Sequence, residues 1–490
     1  MTANTLYYGD NIDVLREYLK DETVDLVYLD PPFNSKRDYN LLFKTPAGHK
    51  SESQVTAFVD SWHWGEQAEA EYTQILHQKN TQLAEMMRGF RSFLGENDVM
   101  AYLTMMANRL LELHRVMKPT ASIYLHCDPT ASHYLKLLMD AVFGAANFRN
   151  EIIWHYQRWP AKQKNFQRMH DVILFYSKGY RCNSFYTLLE PLSEGTLKRW
   201  RGKKSKVEYE GKVRQVTQMT DEESPGRPMD DVWDIPVINS QAKERLGYPT
   251  QKPEYLLERI INAGSSPGDL VLDPFCGCGT AVVAAEKLKR KWVGIDITHL
   301  AIALIEKRLQ DTIPDVSFDV IGTPKDLEAA RDLAIRDKYQ FQWWACSLVK
   351  AQPYDGKKKG ADGGVDGLIF FQDDAHGSKK IVVSVKGGDK VSVAMVRDLR
   401  AVVEREHAVI GLFVTLSTPT APMLVEATSA GWYVSPTIDA NFPKIQILTI
   451  EGLLNGTEAP RYPDLSRGGL TFKKAQQKSA KESTGRLIGE

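Results

Sequence analysis

Four consecutive residues at the end of an apolar run, Asp30, Pro31, Pro32 and Phe33, combine a carboxylate, a rigid turn and an aromatic ring. An exocyclic amine on a nucleobase is a poor nucleophile because its lone pair is delocalised into the ring, so acceptors that hold its two hydrogens favour attack by nitrogen. The Asp30 carboxylate and the Pro31 carbonyl can be those acceptors, and Phe33 can stack on a base turned out of a duplex. The pattern predicts alkylation of a base amine. The alternative is a rigid strand-end turn without chemistry.

A glycine-rich turn, residues 272–280, lies between a predicted strand and a predicted helix. Gly277 and Gly279 would let the backbone approach a ligand closely, and the helix start supplies free N–H groups. The next predicted strand ends at Asp296, whose carboxylate can accept hydrogen bonds from two ribose hydroxyls. The turn lacks the G-x-G-x-x-G spacing of pyrophosphate sites, so it favours an adenosine ligand without phosphates. The alternative is a tight turn followed by a helix cap.

Residues 196–214 interrupt the regular alternation of strands and helices with a dense group of cations. The candidate DNA-binding residues among them are Lys198, Arg199, Arg201, Lys203, Lys204 and Lys206. We expect these side chains to run along phosphates, with Trp200 and Tyr209 as stacking faces. A solvated lysine-rich surface is the alternative.

A second acid and cation pair occurs late in the chain, where Asp366 precedes one predicted strand and Lys386 ends the next. Metal-dependent nucleases place a Mg²⁺ ligand and a phosphate-facing cation in this way, so Asp366 is the candidate metal ligand. An unrelated α/β domain with a glycine-rich turn is the alternative.

Alternating strands and helices would position these residues at the edges of mostly parallel α/β sheets. Strands are predicted at 5–8, 24–29, 121–126, 151–155, 171–176, 270–272 and 292–295. Helices are predicted at 12–20, 99–117, 131–142, 253–262, 281–289 and 300–309, and residues 52–95 are predicted to be a polar helical insertion. The predicted domains are 1–315, with a smaller α/β domain at 325–464 and a disordered basic tail at 465–490.

The 490 residues carry 62 Lys and Arg against 62 Asp and Glu, so DNA binding would have to come from local basic patches. No stretch reaches the roughly eighteen uninterrupted apolar residues of a membrane helix, and the start of the chain lacks a secretion signal, so a cytoplasmic protein is expected. The five cysteines show no paired C-x-x-C spacing, which argues against a disulfide framework and a zinc site.

Together these motifs resemble the S-adenosylmethionine-dependent DNA amino-methyltransferases over roughly residues 6–309. The tetrapeptide comes before the basic segment and the Phe275-x-Gly277-x-Gly279 turn comes last, which is the order of the beta group. The resemblance implies a Rossmann-like domain, a target-recognition segment at 196–245, and base-pocket support from the His126-Cys127-Asp128 and His170-Asp171 positions. The cofactor-binding residues that it implies are Asp10, Thr250, Gln251, Lys252, Asp273, Pro274, Phe275, Gly277, Gly279, Thr280 and Asp296.

Asp30 at the head of the tetrapeptide resembles the adenine-N6 version of the family, whereas the cytosine-N4 version usually carries Ser. Methylation of cytosine carbon 5 is set aside, because it needs a thiolate that typically follows a proline, and none of the five cysteines does so.

The second half, about residues 325–420, resembles Mrr-like restriction-endonuclease domains. The family pattern has Glu or Gln two residues before the lysine, and here Ser384 stands in that position. A hydroxyl is a poorer Mg²⁺ ligand than a carboxylate, so both DNA cleavage and a purely DNA-binding role remain open.

The sequence therefore predicts a site-specific adenine-N6 DNA methyltransferase of a restriction-modification system. Its cofactor would be S-adenosylmethionine, with Mg²⁺ as a candidate in the second domain. Its partners would be double-stranded DNA and other restriction-modification subunits. Cytosine-N4 methylation, DNA cleavage as the main activity and a non-catalytic DNA-binding module are the alternatives.

Overall fold

The computed structural model describes residues 4–32, 37–44, 50–60, 63–159, 164–210, 213–239, 241–248, 250–313, 315–354, 363–374 and 377–464. At 37–44, 50–60, 200, 205–210, 213–219, 374 and 377 only the backbone is described. Phe33 and the predicted disordered tail at 465–490 lie outside the described residues.

The first domain contains a large sheet, two hairpins and flanking helices. Its strands are β1 (Asn4–Tyr8), β2 (Val24–Leu29), β3 (Arg37–Lys44), β4 (Lys50–Asp60), β5 (Met117–Cys127), β6 (Phe148–His155), β7 (His170–Ser177), β8 (Leu189–Glu190), β9 (Lys203–Glu210), β10 (Val213–Glu223), β11 (Arg227–Pro228), β12 (Val232–Asp234), β13 (Leu270–Asp273), β14 (Lys291–Asp296) and β15 (Phe318–Ile321). Its helices are α1 (Asn11–Tyr18), α2 (Glu66–Leu76), α3 (Thr81–Leu94), α4 (Asp98–Val116), α5 (Ser132–Phe143), α6 (Glu194–Trp200), α7 (Glu254–Gly264), α8 (Thr280–Lys287) and α9 (His299–Thr312).

The large sheet has the strand order β12-β6-β7-β5-β2-β13-β14-β1-β15. All of its neighbouring pairs are parallel except those of β7, which runs antiparallel to β5 and to β6. The mostly parallel, Rossmann-like sheet predicted from the sequence is therefore confirmed. Because β2, β13, β14 and β1 are neighbours, the segments that follow them meet at one edge of the sheet.

Apolar side chains cover both faces of the central strands. On β2, Val27 and Leu29 pack with residues of α1, α4 and α5, whereas Leu26 and Tyr28 pack with residues of α7, α8 and α9. A strand buried on both faces appears in the sequence as a continuous apolar run, which is why the boundaries of β2 were predictable to the residue.

The predicted polar insertion at 52–95 is wrong in two respects. Its first part is strand β4, which pairs with β3, and its second part is the helices α2 and α3. These helices belong to the core, since Leu83, Met87 and Phe90 are buried in the same cluster as β2. Their spacing of four and three residues places them on one helix face, a signal that the surrounding polar residues obscured.

Two further predictions need correction. The basic segment does not end the regular structure, because it forms α6 and the antiparallel hairpin of β9 and β10. The first domain also continues past 315, since β15 pairs with β1 at the edge of the large sheet.

The second domain is a smaller α/β unit, as the sequence predicted. Its strands are β16 (Gln352–Pro353), β17 (Gly367–Asp374), β18 (Gly377–Lys386), β19 (Ile410–Thr415), β20 (Trp432–Val434), β21 (Asn441–Pro443) and β22 (Ile445–Thr449). Its helices are α10 (Leu327–Arg336), α11 (Lys338–Leu348), α12 (Val393–Arg405), α13 (Ala421–Ser429) and α14 (Ile450–Leu454). The five-stranded sheet has the order β16-β17-β18-β19-β22, with α10 and α11 on one face and α12 and α13 on the other.

The two domains meet through α9 and α11. Trp343 on α11 packs against a small apolar cluster formed by Tyr248, Cys278 and Leu300. The backbone N–H of His299 donates to the side-chain oxygen of Gln340 at 3.2 Å across the same junction. Among the described residues, no helix is long and apolar enough to cross a membrane.

Candidate active site

Asp30 lies directly after β2, at the carboxyl edge of the large sheet. Its carboxylate oxygen Oδ2 accepts a hydrogen bond from the Lys252 ammonium. The side chains of Lys252 and Asp30 are only 11% and 15% exposed, so both charges depend on each other for compensation. Sequence reasoning assigned these two residues to different sites, and the structure brings them together.

The loop before α7, residues 244–253, places the Lys252 ammonium against the Asp30 carboxylate. Gln251 fastens this loop, because its side-chain oxygen accepts from the Leu246 N–H at 2.8 Å and its amide donates to the Glu244 carbonyl at 2.6 Å. Pro253 then starts the helix with a fixed φ of −60°. Of the cofactor residues predicted here, Gln251 holds the loop, Lys252 binds Asp30, and Thr250 contributes its carbonyl to Lys252 at 3.5 Å.

A line of buried polar side chains runs behind Asp30. The Tyr28 hydroxyl contacts Nδ1 of His126 at 3.1 Å, and Nε2 of His126 lies 3.5 Å from the Asp171 carboxylate. The Tyr156 hydroxyl donates to the same carboxylate at 3.2 Å. Burial opposes ionisation of Asp171, but its contact with His126 and the charge of Lys252 hold its pKa below the ordinary value. Asp171 therefore stays an anion within this line of polar side chains.

The glycine-rich turn between β13 and α8 needs its glycines. Gly277 and Gly279 have φ values of +50° and +73°, in the left-handed region. A Cβ on Gly279 would lie 2.8 Å from Ile305, and one on Gly277 would lie 3.2 Å from Tyr248. Gly279 is the N-cap of α8, and among the described residues no side chain accepts a capping hydrogen bond there. Gly277 and Gly279, which predicted a tight turn from the sequence, do form one.

Asp296 ends β14 beside this turn. Its Oδ2 accepts from the Gly277 N–H at 2.9 Å, and its Oδ1 accepts from the N–H and hydroxyl of Thr298, both at 2.9 Å. Burial raises the pKa of Asp296 to about 6, although the hydrogen bonds from Thr298 and Gly277 favour the anion. The carboxylate is fixed where its remaining lone pairs can accept from ribose hydroxyls.

Two more predicted cofactor carboxylates lie at this edge. Buried Asp273 accepts from the Phe275 N–H at 3.1 Å, and burial raises its pKa well above the ordinary value. Asp10 caps α1 and forms an ion pair with buried Arg109 at 2.7 Å. The N–H of Gly9 donates to the Asp296 carbonyl at 3.0 Å, which joins the ends of β1 and β14.

These groups fit a nucleoside with a cationic sulfonium better than a phosphate. The fixed carboxylate of Asp296 can accept hydrogen bonds from hydroxyls, and Asp10 lies at the same edge. The two glycines let the turn pack directly against Ile305 and Tyr248, where a Cβ would be too close. The Asn11 amide donates to the Pro274 carbonyl at 2.8 Å and holds the turn against α1.

The predicted DNA-binding cations are partly neutralised within their own hairpin. Lys203 pairs with Asp221 at 3.2 Å and Lys204 pairs with Glu222 at 2.7 Å. Across 196–223 the sequence has eight Lys and Arg but also five Asp and Glu. Lys198 and Arg199 lie in the last turn of α6, Arg201 follows it, and only the backbone of Lys206 is described.

In the second domain, the structure brings Asp366, Ser384 and Lys386 together. Oδ2 of Asp366 accepts from the Val385 N–H at 2.6 Å and from the Ser384 hydroxyl at 3.3 Å, and it lies 3.9 Å from the Lys386 ammonium. The described residues contain no group of three His, Cys, Asp or Glu side chains placed to hold a metal ion. One carboxylate that already accepts protein hydrogen bonds is a poor fit for Mg²⁺.

Sequence reasoning missed the partnership of Lys252 with Asp30 and the roles of Tyr156 and Arg109. Lys252 and Asp30 are 222 residues apart, so no local pattern could join them. Tyr156 comes just after β6 and Arg109 lies in the middle of α4, where each would ordinarily be assigned to the core.

Comparison with known proteins gives two family matches. Residues 24–307 match the DNA methylase family of N6 and N4 enzymes, and residues 335–433 match a restriction endonuclease family. The first match covers more than half of the chain and contains Asp30, Lys252, the glycine turn and Asp296. The second contains Asp366, Ser384 and Lys386.

Curated relatives agree with the first match. The chain is 31% identical to the Type II methyltransferase M.HpaI of Haemophilus parainfluenzae over 66% of this chain and 79% of that protein. It is 25% identical to the DNA adenine methyltransferase YhdJ of Escherichia coli over 63% of this chain and 83% of that protein. It is 28% identical to M.EcaI of Enterobacter cloacae over 42% of this chain, and there it spans only 57% of the relative.

Among solved structures, a DNA modification methylase of Thermus thermophilus in complex with S-adenosyl-L-methionine is 18% identical, with a TM-score of 0.37. That match covers 65% of this chain and 97% of the Thermus chain. From the length of the family match and the similarity to M.HpaI, the chain belongs to the DNA methylase family, and it carries a restriction-endonuclease-like domain behind the methylase region.

Proposed function

We propose that this chain transfers the methyl group of S-adenosylmethionine to the N6 amine of adenine in double-stranded DNA. It would act in the cytoplasm as the modification enzyme of a restriction-modification system. The observation that carries the proposal is the placement of Asp30 next to the cofactor turn. Asp30 follows β2 and the turn follows β13, and these strands are paired with Val27 opposite Leu272. Neighbouring strands lie about 4.8 Å apart, so the base site and the donor site share one edge.

The donor supplies an electrophilic methyl group on a sulfonium sulfur. The Asp30 carboxylate and the Pro31 carbonyl accept the two hydrogens of the base amine, so the nitrogen lone pair turns away from the ring and toward the methyl carbon. The nitrogen–carbon bond forms as the carbon–sulfur bond breaks, and the amine afterwards loses one proton. No metal is needed for this displacement.

Lys252 is a positioning residue in this scheme. Its ammonium holds Oδ2 of Asp30, so Oδ1 of Asp30 is the oxygen that accepts the amine hydrogen. Asp10, Asp273 and Asp296 hold the donor on the other side of the edge, with Asp296 on the ribose. His126 and Asp171 form the wall behind Asp30.

Two observations favour adenine over cytosine. The tetrapeptide begins with Asp rather than Ser, and a relative that covers 63% of the chain is named a DNA adenine methyltransferase. The family match covers both N6 and N4 chemistry, so the product decides the question.

The test uses unmethylated plasmid DNA and a donor that carries an isotope-labelled methyl group. After digestion to nucleosides, mass spectrometry should find the label in N6-methyldeoxyadenosine. Label in N4-methyldeoxycytidine would overturn the adenine assignment, and no labelled nucleoside from a chain that binds both donor and DNA would overturn the activity. Asp30→Ala is the negative control, because it should bind the donor and transfer nothing.

A further inference from the structure

The loop between β6 and β7, residues 156–169, carries two aromatic rings in water. Trp159 is 92% exposed and Phe166 is 100% exposed. An aromatic side chain left in water forgoes the stabilisation that burial would give, so two bare rings in one short loop indicate a surface kept for a partner.

The β6–β7 loop carries positively charged side chains and no acidic ones. Its fourteen residues contain four cations, Arg158, Lys162, Lys164 and Arg168, and no Asp or Glu. This contrasts with the segment 196–223, which has five acids beside its eight cations. A cationic loop with exposed rings is complementary to a polyanion whose bases offer flat faces.

Hydrogen bonds hold the described arms of the loop together. The Tyr156 N–H donates to the Met169 carbonyl at 2.9 Å, which closes the base of the loop. Farther out, the Gln167 amide donates to the Trp159 carbonyl at 2.8 Å. Trp159 and Phe166 are therefore carried on two arms that are tied together near the rings.

The loop is also fastened to the edge of the sheet that carries Asp30. The Tyr156 hydroxyl donates to Asp171, which lies in the polar line behind Asp30. Arg168 pairs at 3.2 Å with Asp128, which follows β5, and β5 is the neighbour of β2. A ring on this loop thus stands beside the place where a base would enter.

We propose that the described arms of the β6–β7 loop contact DNA, with Trp159 or Phe166 stacked on the bases next to the flipped nucleotide while Arg158 and the exposed Lys164 face phosphates. Removal of a base from the stack leaves an unstacked neighbour, and an aromatic ring compensates for that loss. The inference rests on the proposed function, since it takes DNA as the partner.

The variants Trp159→Ala, Phe166→Ala and their combination test the inference. Binding of fluorescein-labelled random 40-base-pair duplexes is measured by anisotropy in the presence of sinefungin, a non-reactive donor analogue. The double variant should bind about 5- to 150-fold more weakly, the range expected when stacking on a base is removed. Its KM for unmethylated plasmid should rise in parallel, while its affinity for sinefungin, measured by calorimetry, should not change.

Phe93→Ala is the matched control. Phe93 is also an exposed aromatic residue, with 76% exposure, but it lies at the end of α3 and outside the β6–β7 loop. It should leave DNA affinity unaltered. A second pair, Arg158→Ala with Lys164→Ala, should flatten the plot of log affinity against log salt by about 0.9 for each phosphate that the loop no longer neutralises.

The outcomes separate this inference from the proposed function. If the parent chain methylates DNA and the double variant keeps its DNA affinity and KM within twofold, the loop inference is wrong, and the rings serve another partner. If the parent binds DNA without methylating it and the double variant loses binding, the loop inference stands and the proposed function fails.

Discussion

Replacing Lys252 by Met removes the ammonium that holds Asp30 and keeps a linear side chain of similar length. Asp30 then becomes a nearly buried carboxylate without its cation, since its side chain is only 15% exposed. A hydrogen bond to a charged group contributes about 1.5–3 kcal/mol. Because the pair fixes the oxygen that accepts the amine hydrogen, we expect a loss of about 2–3 kcal/mol at the transition state, or about 30- to 150-fold in kcat.

The assay is single-turnover transfer of a labelled methyl group to unmethylated plasmid, with donor-analogue affinity measured by calorimetry. Lys252→Met should lower the transfer rate and leave the affinity for the analogue within threefold, and Lys252→Arg should recover part of the rate. Lys118→Met is the matched control, because Lys118 pairs at 2.7 Å with Asp25 at the opposite end of β2. A transfer rate within threefold of the parent would refute the positioning role. A loss confined to analogue affinity would place Lys252 in the cofactor site instead.

Four other perturbations test the remaining assignments. Asp30→Ala should abolish transfer with donor affinity nearly intact, and a transfer rate within tenfold of the parent would remove Asp30 from the reaction. Donor affinity should fall as the pH drops through about 6, because the pKa of Asp296 is raised to that value and the anion accepts from hydroxyls more strongly than the protonated acid; Asp296→Asn should bind weakly without this pH dependence in calorimetry. The raised pKa of Asp296 also makes the folding free energy depend on pH. The stabilising contribution of Asp296 is fully present below its unfolded pKa of 3.8 and is lost as the pH rises through about 6. Lys198→Ala with Arg201→Ala should flatten the salt dependence of DNA binding by about 0.9 per phosphate neutralised, whereas Lys203→Ala with Lys204→Ala should not, because Asp221 and Glu222 already pair with those lysines. The second domain should cut unmethylated duplex weakly at best with Mg²⁺, and Ser384→Glu should strengthen cutting by adding a carboxylate beside Asp366. If the variant yields no cleavage products on agarose gels with Mg²⁺ or Mn²⁺, DNA binding is favoured as the role of the domain.

The sequence was most informative where local pattern and fold geometry coincide. Strands β2, β13 and β14 appeared as apolar runs, each followed by an acid, and the rule for parallel sheets then brought Asp30, Asp273 and Asp296 to one edge. Gly277 and Gly279 could be predicted as a tight turn because few residues other than glycine adopt positive φ.

Long-range pairing was beyond the reach of such patterns. Lys252 could be placed before a helix, but its contact with Asp30 depends on how α7 packs on the sheet. The same limit applies to β15, which looks like a linker until its pairing with β1 is seen. The basic segment shows a related difficulty, since charge counted along the chain ignores the acids that face Lys203 and Lys204 across the hairpin.

The contact of Trp343 with Tyr248, Cys278 and Leu300 links the stability of the two halves of the chain. Tyr248 lies against Gly277, and Cys278 is part of the glycine turn, so the indole of the second domain forms part of the support under that turn. A chain cut after β15 would remove Trp343 from this cluster, leave Leu246 and Leu304 as its other partners, and loosen the turn. The methylase half should therefore bind the donor more weakly and melt at a lower temperature when it is excised than it does in the full-length protein.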